Sequence, residues 1–153
     1  MIQRIQTIYL FLSSICLWLT FFFDFSIYKV GEQTVPFNLL GFENVQGAMS
    51  WFPYNIVIPV VASISLISIF QFKKRTNQLF IGKVMYLFLL LILGFVFYDT
   101  FNIFAVLTAS GQSVTIGYGA GLFLTVASFP FVFLANRAIK KDEKLVRESD
   151  RLR

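Results

Sequence analysis

Four apolar stretches dominate the chain, at residues 5–23, 56–72, 84–104 and 119–136, with polar segments between them. Each covers about 17–21 residues, or roughly 25–31 Å as α-helix at about 1.5 Å per residue. That length matches the ~30 Å hydrocarbon core of a bilayer. None of the four alternates apolar and polar residues as a lipid-facing β-strand must, so the pattern predicts helices and not a barrel. The fold class expected is an all-α membrane protein built on a four-helix transmembrane bundle.

Composition agrees with this pattern. Hydrophobic residues make up 57% of the chain, 20 of its residues are Phe, and only 14% are charged, against about 25% in a soluble domain. A soluble fold of 153 residues could not hide so much apolar surface, so lipid is expected to solvate most of it. Cys16 is the single cysteine and lies in the first apolar stretch, where it reads as a small hydrophobe. Bulky Ile15 before it is wrong for a lipoprotein site. No small-residue cleavage site follows the stretch, so the first segment is expected to persist as a helix.

Charge placement sets the expected orientation. Of the 13 Lys and Arg residues, twelve fall on one side of the four stretches: Arg4, then Lys73, Lys74, Arg75 and Lys83, then the seven after residue 136. The exception is Lys29, in the first loop. By the positive-inside rule the basic side is cytoplasmic and carries both termini. Residues 1–136 then form the transmembrane domain, with outer loops at 24–55 and 105–118, and residues 137–153 form a cytoplasmic tail. The short inner connection makes the second and third spans adjacent and antiparallel.

The outer loops contain extended segments. Residues 26–30 and 34–40 read as strands around a turn at Gly31 and Glu32, and Pro36 favours an edge position because it lacks an amide donor. Residues 105–108 and 114–116, flanking Ser110-Gly-Gln-Ser113, read as two short strands able to pair with each other. A small extracytoplasmic β element from these two loops is therefore expected. Trp51, Phe52 and Tyr54 are expected as interfacial anchors.

Candidate polar sites are few. Asp24 and Asp99 are the acids within or at the edge of the apolar stretches, and an intramembrane carboxylate is a functional candidate by default. Asp99 lies sixteen residues beyond Lys83, about 24 Å along a helix, so both acids approach the outer interface. There they are expected to cap helices or tie the outer loops. Gly117 and Gly121 form one G-x-x-x-G pair, and Thr125 and Ser128 continue roughly the same face, a candidate surface for close helix packing. Ser63, Ser65 and Ser68 are expected to bond carbonyls of their own helix. Pro59 and Pro130 are expected to bend their helices locally.

The tail carries Arg137, Lys140, Lys141, Lys144, Arg147, Arg151 and Arg153 among four acids. Glu143 and Arg147 are spaced for a helical ion pair, and the fourth span is expected to continue as a helix into the cytoplasm. Contact with anionic lipid is the first reading and docking of a membrane or cytoplasmic protein the second. Nucleic acid is disfavoured because the acids dilute the positive stripe. The chain has no His, no nucleophile elbow, no phosphate-binding glycine loop and no H-E-x-x-H, which argues against an enzyme, a metal site or a cofactor.

The start, Met1-Ile-Gln-Arg-Ile-Gln-Thr-Ile-Tyr-Leu10, and the ending, Ala138-Ile-Lys-Lys-Asp-Glu-Lys-Leu-Val-Arg147 through Asp150-Arg-Leu-Arg153, resemble unknown-function family 4293 of Bacteroidota. That resemblance implies a small four-span protein of the bacterial inner membrane and supplies no activity or ligand. The layout is also similar to the claudin-like architecture, without the cysteine pair or the Trp-Gly-Leu-Trp pattern of claudins. Together these readings point to a non-catalytic accessory or scaffold subunit of a membrane complex. The alternative is a small transporter or channel subunit using Asp24 and Asp99.

Overall fold

A computed structural model describes residues 2–42, 50–71, 75–109, 111 and 113–151. Four helices and four strands follow one another along the chain: α1 (Ile2–Leu19), β1 (Ser26–Val30), β2 (Gln33–Asn38), β3 (Gly41–Phe42), α2 (Tyr54–Phe70), α3 (Arg75–Ala109), β4 (Val114–Tyr118) and α4 (Ala120–Arg151). A 3-10 turn, Thr20–Phe22, closes α1. Three helices, α1, α3 and α4, are long and apolar enough to cross a membrane, while α2 is apolar but shorter at 17 residues. Lys73, Lys74 and Arg153 of the expected basic side lie outside the described residues, as do Ser110 and Gln112 of the loop before β4.

The helices pack as a ring in which α1 touches α2 and α4, and α3 touches α4 and α2. Its interior is lined by Leu17, Ile58, Val61, Met85, Leu89 and Val132, all essentially inaccessible. Hydroxyls bind the α1–α2 pair together. Ser14 Oγ donates to the Ala62 carbonyl at 3.0 Å, and Ser65 Oγ donates to the Leu10 carbonyl at 2.8 Å. The expectation that Ser65 bonds within its own helix is thus corrected. It faces α1 closely enough to reach a carbonyl there, and so satisfies its hydroxyl across the interface.

The strands form one antiparallel sheet in the order β3-β2-β1-β4. Val30 pairs with Gln33 across the two-residue turn at Gly31, whose φ of 59° suits glycine. β3 covers β2 only at Phe37 and Asn38, so Pro36 lies where β2 has no second neighbour. β4 pairs with β1 from Ser26↔Tyr118 to Val30↔Val114. The expected pairing of residues 105–108 with 114–116 does not form. Residues 105–108 continue α3, where Ile103 is buried and Leu107 packs against the core. The helix ends as the Gly111 N–H, at φ 76°, donates to the Thr108 carbonyl at 3.0 Å.

The sheet lies across the end of the bundle where α1 and α3 finish and α2 and α4 begin. Phe25, Tyr28 and Phe37 are fully buried beneath it, and Phe25 and Phe37 both pack on Tyr54 with ring centroids 5.6 Å apart. Phe52 stacks on Phe95 at 4.5 Å. Of the three expected interfacial anchors, only Trp51 is exposed; Phe52 and Tyr54 turn inward because the sheet offers them an aromatic core.

Candidate functional site

Asp99 lies on α3 beneath the sheet and is buried at 4% exposure. Its Oδ2 accepts hydrogen bonds from Tyr54 Oη at 2.7 Å and Ser50 Oγ at 2.9 Å. Tyr54 opens α2 and Ser50 belongs to the loop before it, so one carboxylate oxygen joins α3 to the entry of α2. Tyr54 is nearly inaccessible to solvent, and Asp99 is the acceptor for its hydroxyl proton. With both hydroxyls on one oxygen, these polar groups satisfy one another away from solvent.

A second chain of hydroxyls runs beside it. Ser26 Oγ donates to Tyr28 Oη at 3.1 Å, and Tyr28 Oη donates to the Thr100 carbonyl at 3.1 Å. Burial raises the Tyr28 phenol, and its bonds to Ser26 and Thr100 oppose the rise. The two chains fasten β1 and the entry of α2 to adjacent residues of α3. Their chemistry is that of a clamp: two weak acids held protonated and one carboxylate enclosed by donors.

Asp24 is half-buried at the junction of α1 and β1, and it takes no part in the two hydrogen bonds that Ser50 and Tyr54 make to Asp99. Its backbone does the work there: the Asp24 carbonyl accepts the Gly121 N–H, and the Phe25 carbonyl accepts the Gly119 N–H, each at 2.9 Å. These bonds use two amides at the start of α4 that would otherwise lack helical partners. A Cβ on Gly121 would lie 2.6 Å from the Phe23 carbonyl oxygen, and one on Gly119 would collide with Asp24.

The expected small-residue helix face is therefore corrected in part. Gly117 lies in β4 opposite Ile27, because the chain is still extended there. Gly121, at the helix start, packs on the α1–β1 junction. Thr125 and Ser128 are buried and bond their own helix, at the Gly121 and Thr125 carbonyls. Close approach of α3 and α4 uses a residue that the sequence reading missed: Gly82, over which the Asn136 side chain lies. No pair spacing marks Gly82 in the sequence.

The far end of α4 holds the remaining candidates. Arg137, Lys140, Lys141 and Lys144 are exposed and, with Glu143, line a cavity of about 510 Å³. Lys144 reaches Glu148 at 3.7 Å, with both side chains more than half exposed. α4 is continuous through this region as far as Arg151, so the tail is a helical extension of the bundle. The side chains of Arg147 and Arg151 lie outside the described residues, so the expected Glu143–Arg147 pair falls there too.

The sequence pattern of the family described as Domain of unknown function (DUF4293) matches residues 2–152. The chain belongs to this family. The match takes in all four helices, the sheet and the basic extension. No curated protein and no solved structure matches the chain.

Proposed function

We propose that this chain is a non-catalytic, four-span accessory or scaffold subunit of a membrane complex, resident in a bacterial inner membrane. In this reading α2 joins the three longer helices in the bilayer, the sheet is extracytoplasmic, and the basic end of α4 is cytoplasmic. Orientation is supported by charge. Lys29 is at the sheet end, whereas Lys83, Arg137, Lys140, Lys141 and Lys144 are at the opposite end.

The observation that carries the proposal is the use made of Asp99. The most enclosed carboxylate among the described residues is engaged by Tyr54 and Ser50, which ties the sheet-bearing loop to the bundle. A transport site would need Asp24 and Asp99 on one wet cavity, whereas Asp99 Oδ2 is taken up by two of the chain's own hydroxyls. What the molecule offers to its surroundings is surface: a rigid sheet at one end and a charged helix at the other.

Affinity purification from native membranes tests this, comparing the full chain with one ending at Asp142. That endpoint keeps Ile139, which is buried against the bundle. We expect a protein to co-purify with the full chain. Its loss on truncation would assign docking to the tail beyond Asp142, and its retention would assign docking to the remainder of the chain. If the full chain purifies alone and in-cell crosslinking captures nothing, the scaffold reading fails.

A further inference from the structure

One face of α4 changes its chemistry partway along the helix. Near the start, Phe123, Val126 and Phe133 follow one another in steps of three and seven residues and are 61%, 43% and 53% exposed. One turn past Phe133, about 6 Å along the axis, the same face continues as Arg137, Lys140, Lys141 and Lys144, all exposed. The opposite face, Ser128, Val132, Ala135 and Ile139, is buried in the bundle. The four cations extend over about 10 Å of helix and border the 510 Å³ cavity, with Glu143 the one acid among its described lining residues.

We propose that this face binds an anionic phospholipid, with an acyl chain along the Phe123–Phe133 strip and the phosphate in the basic cleft beyond it. The inference rests on the reading that α4 crosses the bilayer with its basic end inside. Three properties select this occupant. The cations begin within one turn of the last apolar residue of the strip, so one amphiphile can satisfy both parts at once. Lys and Arg stems lie along apolar surface while their heads meet the phosphate plane. Net positive charge favours an anionic headgroup over a zwitterionic one, and basic clusters just inside a spanning helix attract acidic lipid.

An acidic protein segment would meet the same cations but leave the Phe and Val strip without a partner. The exposed Lys144–Glu148 pair does not compete strongly, since surface ion pairs contribute little.

The full-length protein is reconstituted into phosphatidylcholine bilayers containing spin-labelled phosphatidylglycerol or spin-labelled phosphatidylcholine, and the immobilised fraction of each is measured. We expect phosphatidylglycerol to be preferred, and the preference to fall by about tenfold or more when Arg137, Lys140, Lys141 and Lys144 are all changed to Gln. A Lys29→Gln protein, altered at the sheet end, should keep it. Raising the salt concentration on the unmodified protein should also weaken the preference, which tests the idea even if the quadruple variant folds poorly. Equal immobilisation of the two lipids, or a preference insensitive to both salt and the quadruple change, overturns the proposal. So does a cytoplasmic protein that displaces the labelled lipid from the unmodified chain without itself requiring acidic lipid. Partner capture and lipid selectivity are separate readouts, so failure of this site leaves the scaffold reading standing, and the reverse also holds.

Discussion

At the scale of single residues, the contact between Tyr54 and Asp99 has the largest consequences. Both groups are nearly inaccessible and their oxygens are 2.7 Å apart. Removing the donor leaves a buried carboxylate with one partner fewer, at a cost of about 1–3 kcal/mol. Tyr54→Phe should therefore destabilise the detergent-solubilised protein by that amount in a reversible unfolding experiment. In an Asp99→Ala background the same change should cost clearly less, because the acceptor of the bond is gone. An equal cost in both backgrounds would mean that ring packing, and not the hydrogen bond, explains the effect. Asp99 stood out in the sequence as an acid in an apolar run. Its partners did not, since Ser50 and Tyr54 are 49 and 45 residues away and nothing local links them to it.

At the scale of elements, two helical glycines make opposite demands. Gly121 sits against the Phe23 and Asp24 carbonyls, where a methyl group would meet backbone oxygens at 2.6 and 2.8 Å. Gly121→Ala should shift the start of α4 away from β1 and cost about 1–3 kcal/mol. Gly94 has nothing within 4 Å of its would-be Cβ, so Gly94→Ala should be neutral or stabilising by up to about 1 kcal/mol through helix propensity. Thermal denaturation of the two variants side by side checks both signs. Apolar run length located the four helices and turn chemistry located the β1–β2 hairpin, because each has a local signal: span length in the helices, the Gly31 turn in the hairpin. The partner of β4 had no such signal. Residues 105–108 are as apolar as a strand, and only the packing of Leu107 against the core ties them to the end of α3.

At the scale of the whole molecule, the distribution of charge predicts which end faces which compartment. In a Cys16→Ser background, a single cysteine replacing Glu32 should react with a membrane-impermeant maleimide in intact cells. One replacing Glu148 should react only after the membrane is opened. The reverse pattern would invert the proposed topology, and labelling of both sites in intact cells would remove it.

The order of strands in the sheet also bears on biosynthesis. β1 and β2 leave the ribosome early and can close their hairpin at once, but the other edge of β1 must wait for residues 114–118. Until α3 has been inserted and the chain has turned back, β1 presents a row of unpaired amides and carbonyls, the kind of edge that recruits foreign strands. β4 then seals that edge, and the glycines after it deliver α4 against the α1–β1 junction. Completion of the sheet and arrival of the last helix are thus one event. A chain halted after α3 would be left with an adhesive edge, which membrane quality control could recognise.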